Sequence, residues 1–139
     1  MILFHSTNAF TLPSKRKYKT WIKELILSKN KKAGDIHYLF CDDDYLLDLN
    51  QKFLQHNTYT DIITFDYSEK DVISGDIFIS TERVKENAEK FRVSFQEELL
   101  RVLSHGVLHL IGYNDKTEEE AEVMRGEEDM AIERFVGIG

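Results

Sequence analysis

The chain is poor in features that would place it outside the ordinary soluble proteins. It has one cysteine, Cys41, which excludes an internal disulfide and suits a reducing cytoplasm. At the end of an apolar stretch, Cys41 reads as a small core residue rather than a nucleophile. No segment approaches the roughly 20 apolar residues that a membrane helix needs. The N-terminal MILFHSTNAFTLPSKRK carries its basic cluster after its apolar residues. It also lacks the long apolar run and small-residue cleavage site of a secretory signal. Repeats, low-complexity tracts and linkers are missing. So is any basic excess: a net charge of −7 argues against broad, non-specific binding to DNA.

What is present describes a globular protein. With 139 residues, 42% hydrophobic and 31% charged, residues 1–139 are expected to form one domain with a sizeable core. The charge is unevenly spread. Residues 1–34 carry eight bases (Lys15, Arg16, Lys17, Lys19, Lys23, Lys29, Lys31 and Lys32) against one acid, Glu24, so the rest of the chain is strongly acidic. Screening over about 8 Å lets a polyanion feel the two regions separately. A basic docking face and a merely solvated helix face are both compatible with this pattern.

Hydrophobic periodicity gives an α+β plan. Ile2 to His5 reads as a first strand, and Pro13-Ser14 opens a helix to about Lys29 with Tyr18, Trp21, Ile22, Leu25 and Ile26 as its apolar stripe. Gly34 marks a turn into a strand from Asp35 to Cys41. Asp42, Asp43 and Asp44 suit the cap and first turn of a helix continued by Tyr45, Leu46, Leu49 and Phe53. Thr60 to Tyr67 is apolar on both faces and is expected in the middle of a sheet. After a polar turn at Ser68 to Asp71, Gly75 to Ile79 is expected as its hairpin partner.

Ser80 then starts a helix with Val84, Ala88 and Phe91 at helical spacing. Ser94 to Glu97 and Thr117 to Glu120 read as capping boxes that start two more helices. The last of these is acidic, with Ala121, Met124, Met130 and Phe135 as its sparse apolar side. The sum is one mixed sheet of about four strands packed with about five helices.

The chemistry concentrates in His105-Gly106-Val107-Leu108-His109-Leu110-Ile111-Gly112-Tyr113-Asn114-Asp115. Histidines four apart share a helix face, with Cβ atoms about 5–6 Å apart, and converge on one ion. Gly112 is suited to end the helix, letting the chain fold back and present Asp115 as a third ligand. Two unligated imidazoles on so apolar a helix would be poorly satisfied. Gly106 mid-helix costs about 1 kcal/mol against alanine, which suggests a close approach to the backbone. The spacing is like that of metzincin proteases with aspartate as third ligand. In those enzymes, however, a glutamate general base directly follows the first histidine, and here that position is Gly106. Glu97, Glu98 and Asp76 are other candidate bases, and the spacing singles out none of them. Zinc, nickel and iron all accept two imidazoles and a carboxylate.

These motifs give the chain a resemblance to the bacterial YbeY family of rRNA maturation factors. The resemblance runs nearly end to end, through HGVLHLIGYND, Thr60-Asp61-Ile62-Ile63-Thr64-Phe65, Gly75-Asp76-Ile77 and Leu49-Asn50. It implies a zincin-like α+β fold, a cytoplasmic location and one Zn²⁺ per chain at His105, His109 and Asp115. It also implies metal-dependent endoribonuclease action on single-stranded rRNA during small-subunit maturation and ribosome quality control. The implied partners are rRNA and ribosomal subunits, with neither DNA nor membrane. Asp115 stands where the family usually has a third histidine, and Leu54 where it usually has an arginine suited to a phosphate. Tyr59 replaces a common proline. His56, Lys52 and Arg83 are candidates to replace the arginine. Lys15, Arg16, Lys17 and Lys19 are candidates to dock RNA. Two other functions compete: a ribosome-assembly binding protein with a structural metal, and a metallopeptidase, which the missing glutamate disfavours.

Overall fold

The computed structural model describes residues 1–54 and 60–138. Four strands, β1 (Ile2–Ser6), β2 (Lys32–Cys41), β3 (Ile62–Asp66) and β4 (Val72–Ser80), form a mixed sheet in the order β1-β2-β4-β3. β1, β2 and β4 run parallel, and β3 is antiparallel to β4 across the expected hairpin. Five helices surround them: α1 (Lys15–Ser28), α2 (Asp43–Leu54), α3 (Thr81–Phe91), α4 (Phe95–Ile111) and α5 (Glu118–Val136).

Strand alternation divides the core. Ile36, Tyr38, Phe40, Ile77 and Ile79 face one way, into the cluster built with Trp21, Ile22 and Ile26 of α1 and Leu99, Leu103 and Val107 of α4. The buried polar tips are matched: the Tyr38 hydroxyl donates to Leu103 O (3.0 Å) and Trp21 Nε1 donates to Ala131 O (2.7 Å). On the other face α2 covers a smaller cluster of Cys41, Leu46 and Ile63 with Leu39, Leu49, Phe65 and Phe78. Cys41 is thus the core residue its sequence context suggests. Burial, then the charges of Asp42 and Asp43, push its thiol up to about 12, which leaves no thiolate for nucleophilic work.

Several expectations are corrected. β3 lies at the edge of the sheet rather than in its middle. Its two apolar faces are covered by helices instead of requiring flanking strands, with Ile62 against the α4 side and Ile63 and Phe65 against the α2 side. β2 begins at Lys32, and Gly34 lies inside it at a register irregularity between Ala33 and Ile36. A Cβ at Gly34 would stand 2.2 Å from Ser74 Oγ, so the strands meet too closely there for a side chain. Phe91, Met130 and Ala121 are exposed. α3 stops burying side chains after Ala88, and the buried stripe of α5 is Met124, Glu128, Ala131 and Phe135. The aspartates after β2 do open α2, but Asp43 also accepts from Ser80 Oγ (2.6 Å) and Arg83 Nη2 (2.9 Å), tying α2 to α3.

Candidate metal centre

α4 is fixed at both ends by its own sequence. Ser94 caps its start, the hydroxyl accepting from Glu97 N–H at 3.0 Å. The Thr117 box on α5 is complete in both directions. At the other end of α4, Gly112 takes φ 125°. Gly112 N–H donates to His109 O (3.1 Å) and Tyr113 N–H to Leu108 O (3.0 Å), which is a Schellman closure. This turn also points Tyr113 O back at His109 Nδ1 (2.9 Å) and brings Asp115 over both imidazoles.

The three donors form a tight triangle. His105 Nε2 and His109 Nε2 are 2.9 Å apart, and Asp115 Oδ2 lies 3.2 Å from the first and 3.4 Å from the second. Tetrahedral ligands on a zinc–nitrogen bond of about 2.0–2.1 Å stand about 3.3 Å apart, so the set fits a divalent transition ion. The outer hydrogen bonds decide the tautomers. Tyr113 O and the Glu128 carboxylate are acceptors, so each histidine donates from Nδ1, and Glu128 Oε2 is 2.6 Å from that of His105. Both Nε2 lone pairs then face each other beside a carboxylate oxygen. That arrangement needs either a proton shared between the two rings or a metal cation among the three atoms, and a histidine hydrogen-bonded at its far nitrogen is the usual form of a metal ligand. These three residues could hold a metal ion; among the described residues no other such group occurs.

Glu128 is buried, and Arg101 holds it: Nη1 donates to Glu128 Oε1 (2.9 Å) while Nη2 donates to Asp129 Oδ1 (2.7 Å). Burial alone would lower the His105 pKa. The hydrogen bond and charge of Glu128, joined by Asp115 and Asp61, outweigh that and raise it. A cleft of about 460 Å³ opens beside His105 and Asp115, between α4, α5 and the start of β3. Asp61 and Glu98 line it, and burial is the main reason both carboxyls sit above their ordinary range.

The three sequence-expected ligands therefore come together, while most of the accessory candidates do not. Glu98 reaches the cleft, whereas Glu97 is exposed on the first turn of α4. Asp76 pairs in register with His37 and alternates to the sheet face away from α4. Arg83 is committed to Asp43 and Glu86, Lys52 pairs with Asp48 in solvent, and Leu54 is exposed at the end of α2. His56 and Tyr59 lie outside the described residues. On α1, Arg16, Lys19 and Lys23 line a groove against Ile2 and Ala33, at the β1 edge of the sheet. The cleft touches β3, at the opposite edge.

Gly106 has a different explanation from the one its position in the motif suggests. A Cβ there would meet Ile62 Cδ1 and Ile77 Cγ2 at 3.0 Å, so the residue lets α4 settle on the sheet. A glutamate at 106 would point into that contact, not into the cleft. Sequence reasoning missed Glu128, Asp61 and Arg101. Glu128 carried one usable signal, since it falls in helical register with Met124, Ala131 and Phe135.

Known proteins resemble this chain along nearly its whole length. Residues 4–136 match the family model described as Endoribonuclease YbeY. A Flavobacterium psychrophilum protein named Endoribonuclease YbeY is 50% identical over 135 residues, covering 97% of this chain and 96% of its own. A Christiangramia forsetii protein of the same name is 52% identical over 134 residues, 96% of this chain and 94% of its own. Among solved structures, the solution structure of a Thermotoga maritima protein superposes with a TM-score of 0.67 at 30% identity, over 99% of this chain and 90% of that one. A family model matched over residues 4–136, with relatives about half identical along nearly their whole length, shows that the chain belongs to the YbeY family.

Proposed function

We propose that this chain is a metal-dependent endoribonuclease acting on single-stranded RNA, with rRNA and ribosomal subunits as its cytoplasmic partners in small-subunit maturation and ribosome quality control. Residues 1–139 serve as one catalytic domain. The observation that carries the reading is the triangle of His105 Nε2, His109 Nε2 and Asp115 Oδ2 beside an open cleft. It occurs in a chain whose relatives bear the name Endoribonuclease YbeY.

His105, His109 and Asp115 would hold one Zn²⁺. When bound, such an ion polarises a phosphoryl oxygen and makes water a better nucleophile near neutral pH. The chain's own residues supply the rest. Glu128 and Tyr113 O keep the Nδ1 protons in place, so that both Nε2 atoms remain donors. Arg101 holds Glu128 against His105. Ile62, Val102 and Met124 give the cleft an apolar wall on which a base can rest, while Asp61 and Glu98 face the same space as proton acceptors.

The two competing functions fare worse. A purely structural metal would be enclosed, whereas the Asp115 side chain is 40% exposed and borders the cleft. A zincin peptidase needs a base at 106, and the packing of Gly106 against Ile62 and Ile77 leaves no room for one. The deciding experiment incubates the purified chain with a single-stranded RNA oligonucleotide, before and after chelation and after zinc is restored, with His109→Ala and a casein digest alongside. Cleavage lost with the metal, regained with zinc and absent from His109→Ala is expected. RNA left intact by the metal-loaded wild type, or cleavage that survives in His109→Ala, would overturn the reading.

A further inference from the structure

The cleft beside the metal centre is badly suited, on charge alone, to a polyanion. Five carboxylates line it against two guanidiniums, those of Arg101 and Arg125. Even with a divalent ion in place, the negative charges outnumber the positive ones. A phosphodiester entering such a site needs at least one cationic side chain free to turn toward it, because a carboxylate-bound guanidinium has already spent its fork of donors.

The two arginines differ in this respect. Arg101 donates to Glu128 and to Asp129, and its side chain is only 21% exposed. It is part of the scaffold that holds His105. Arg125 is exposed and makes no hydrogen bond or ion pair with another described residue. It stands three residues before Glu128 on α5 and three after Glu122, so all three share one helix face. That face borders the cleft with His105 and Asp115. At about 1.5 Å of rise per residue, Arg125 starts about 4.5 Å along the helix from the residue that orients the first ligand.

We infer that Arg125 binds the RNA phosphate that enters the cleft beside the metal, and that it is the chain's specific contact to the substrate backbone at that site. The inference rests on the ribonuclease reading above. Arg125 is a binding residue: it brings the phosphodiester up to the ion against the field of the surrounding carboxylates, and its flat fork engages two phosphate oxygens at once.

The test uses the full, zinc-loaded chain and two readouts. One is the affinity for a single-stranded 2′-O-methyl phosphorothioate oligonucleotide, which resists cleavage, measured by fluorescence anisotropy from low to moderate salt. The other is cleavage of the unmodified RNA. Arg125→Ala is expected to weaken binding by about tenfold to a hundredfold, as for a lost charge-assisted contact. It is also expected to reduce the slope of log affinity against log salt by about 0.7, one phosphate on a single strand. Arg125→Lys should keep the slope and lose part of the affinity. Arg134→Ala, an exposed arginine of the same helix outside the cleft, should match wild type, and all variants should retain the wild-type melting temperature and one zinc per chain. Wild-type affinity and slope in Arg125→Ala, while wild type cleaves RNA, would overturn this inference and leave the ribonuclease reading standing. Failure of wild type to bind or cleave RNA would remove both.

Discussion

Glu128 Oε2 lies 2.6 Å from His105 Nδ1, and the far nitrogen of the same ring is the one turned toward Asp115. A carboxylate on the last helix thus sets the chemistry of a histidine 23 residues earlier. Replacing it by glutamine removes the charge that favours His105 as a donor while keeping a side chain of similar shape. Glu128→Gln is expected to weaken zinc affinity by about tenfold to a hundredfold, the usual scale for a group that orients a metal ligand. Competition against a chromophoric chelator measures it, and an unchanged affinity would show that Glu128 has no part in metal binding.

The carboxyl of Glu98 offers a test by pH. Burial raises its pKa first, then the charge of Asp61; Arg101 pulls the other way, and Glu128 and Glu97 add to the rise. A carboxyl that holds its proton more tightly when folded contributes stability below its unfolded pKa, and that contribution is lost as pH rises through the folded value. At neutral pH the ionised group is therefore a cost. Glu98→Gln is expected to stabilise the metal-free chain at pH 7, with the advantage over wild type shrinking as pH falls through the raised pKa toward the ordinary glutamate value. Urea unfolding across that range would show it, and an advantage that grew toward acid would contradict the assignment.

Gly106 can be probed through packing. Alanine there gains about 1 kcal/mol of helix propensity, but its methyl meets Ile62 and Ile77 at 3.0 Å. Overpacking of this kind costs about 1–3 kcal/mol, so Gly106→Ala is expected to destabilise the chain by about 1 kcal/mol net. Gly106→Glu, which restores the zincin sequence, also forces a carboxylate toward the sheet. It should cost more than about 3 kcal/mol and yield no casein cleavage. A stable Gly106→Glu protein would mean that α4 sits less tightly on β3 and β4 than the 3.0 Å approach of Ile62 and Ile77 requires.

The basic face of α1 is a separate question from the cleft. Arg16, Lys19 and Lys23 point into one groove at the far edge of the sheet, whereas Lys29 and Lys31 are paired with Glu127 and Asp71. Reversing the three charges to glutamate should lower the salt slope of RNA binding by about 2 if each meets one phosphate of a single strand. Zinc content should not change. An unaltered slope would leave α1 as a solvated face and confine RNA to the cleft.

The residues that were legible in the sequence are those governed by local rules. The spacing of His105 and His109 follows from the helix period, and the turn at Gly112 needs only a residue that accepts φ 125°. Asp115 then falls within reach. Glu128 obeys no local rule. Its role depends on α5 packing against α4, and it was hidden among the other acids of α5, although Met124, Ala131 and Phe135 mark its register. The placement of β3 failed for a related reason. Residues 62–65 are apolar on both faces, and a strand covered by two helices shows the same pattern as one flanked by other strands. Arg125 and Arg101 lie on neighbouring helices and read alike in sequence. Only the partners of Arg101 separate the scaffold residue from the available one.

The Schellman closure of α4 also fixes the electrical polarity of the site. The helix ends there, so its last turn presents about half a negative elementary charge to the same space as Asp115 and Glu128. A cation gains from that pole, and a phosphodiester arriving before the cation is repelled by it. If the proposed metal and RNA both bind there, they are ligands of opposite sign for one negative pocket, and each raises the affinity of the other by the same factor. RNA binding should track zinc occupancy, and bound RNA should slow the loss of zinc to a chelator. The coupling is reciprocal, so the helix end that gathers the three side chains favours the doubly occupied state without fixing the order of arrival.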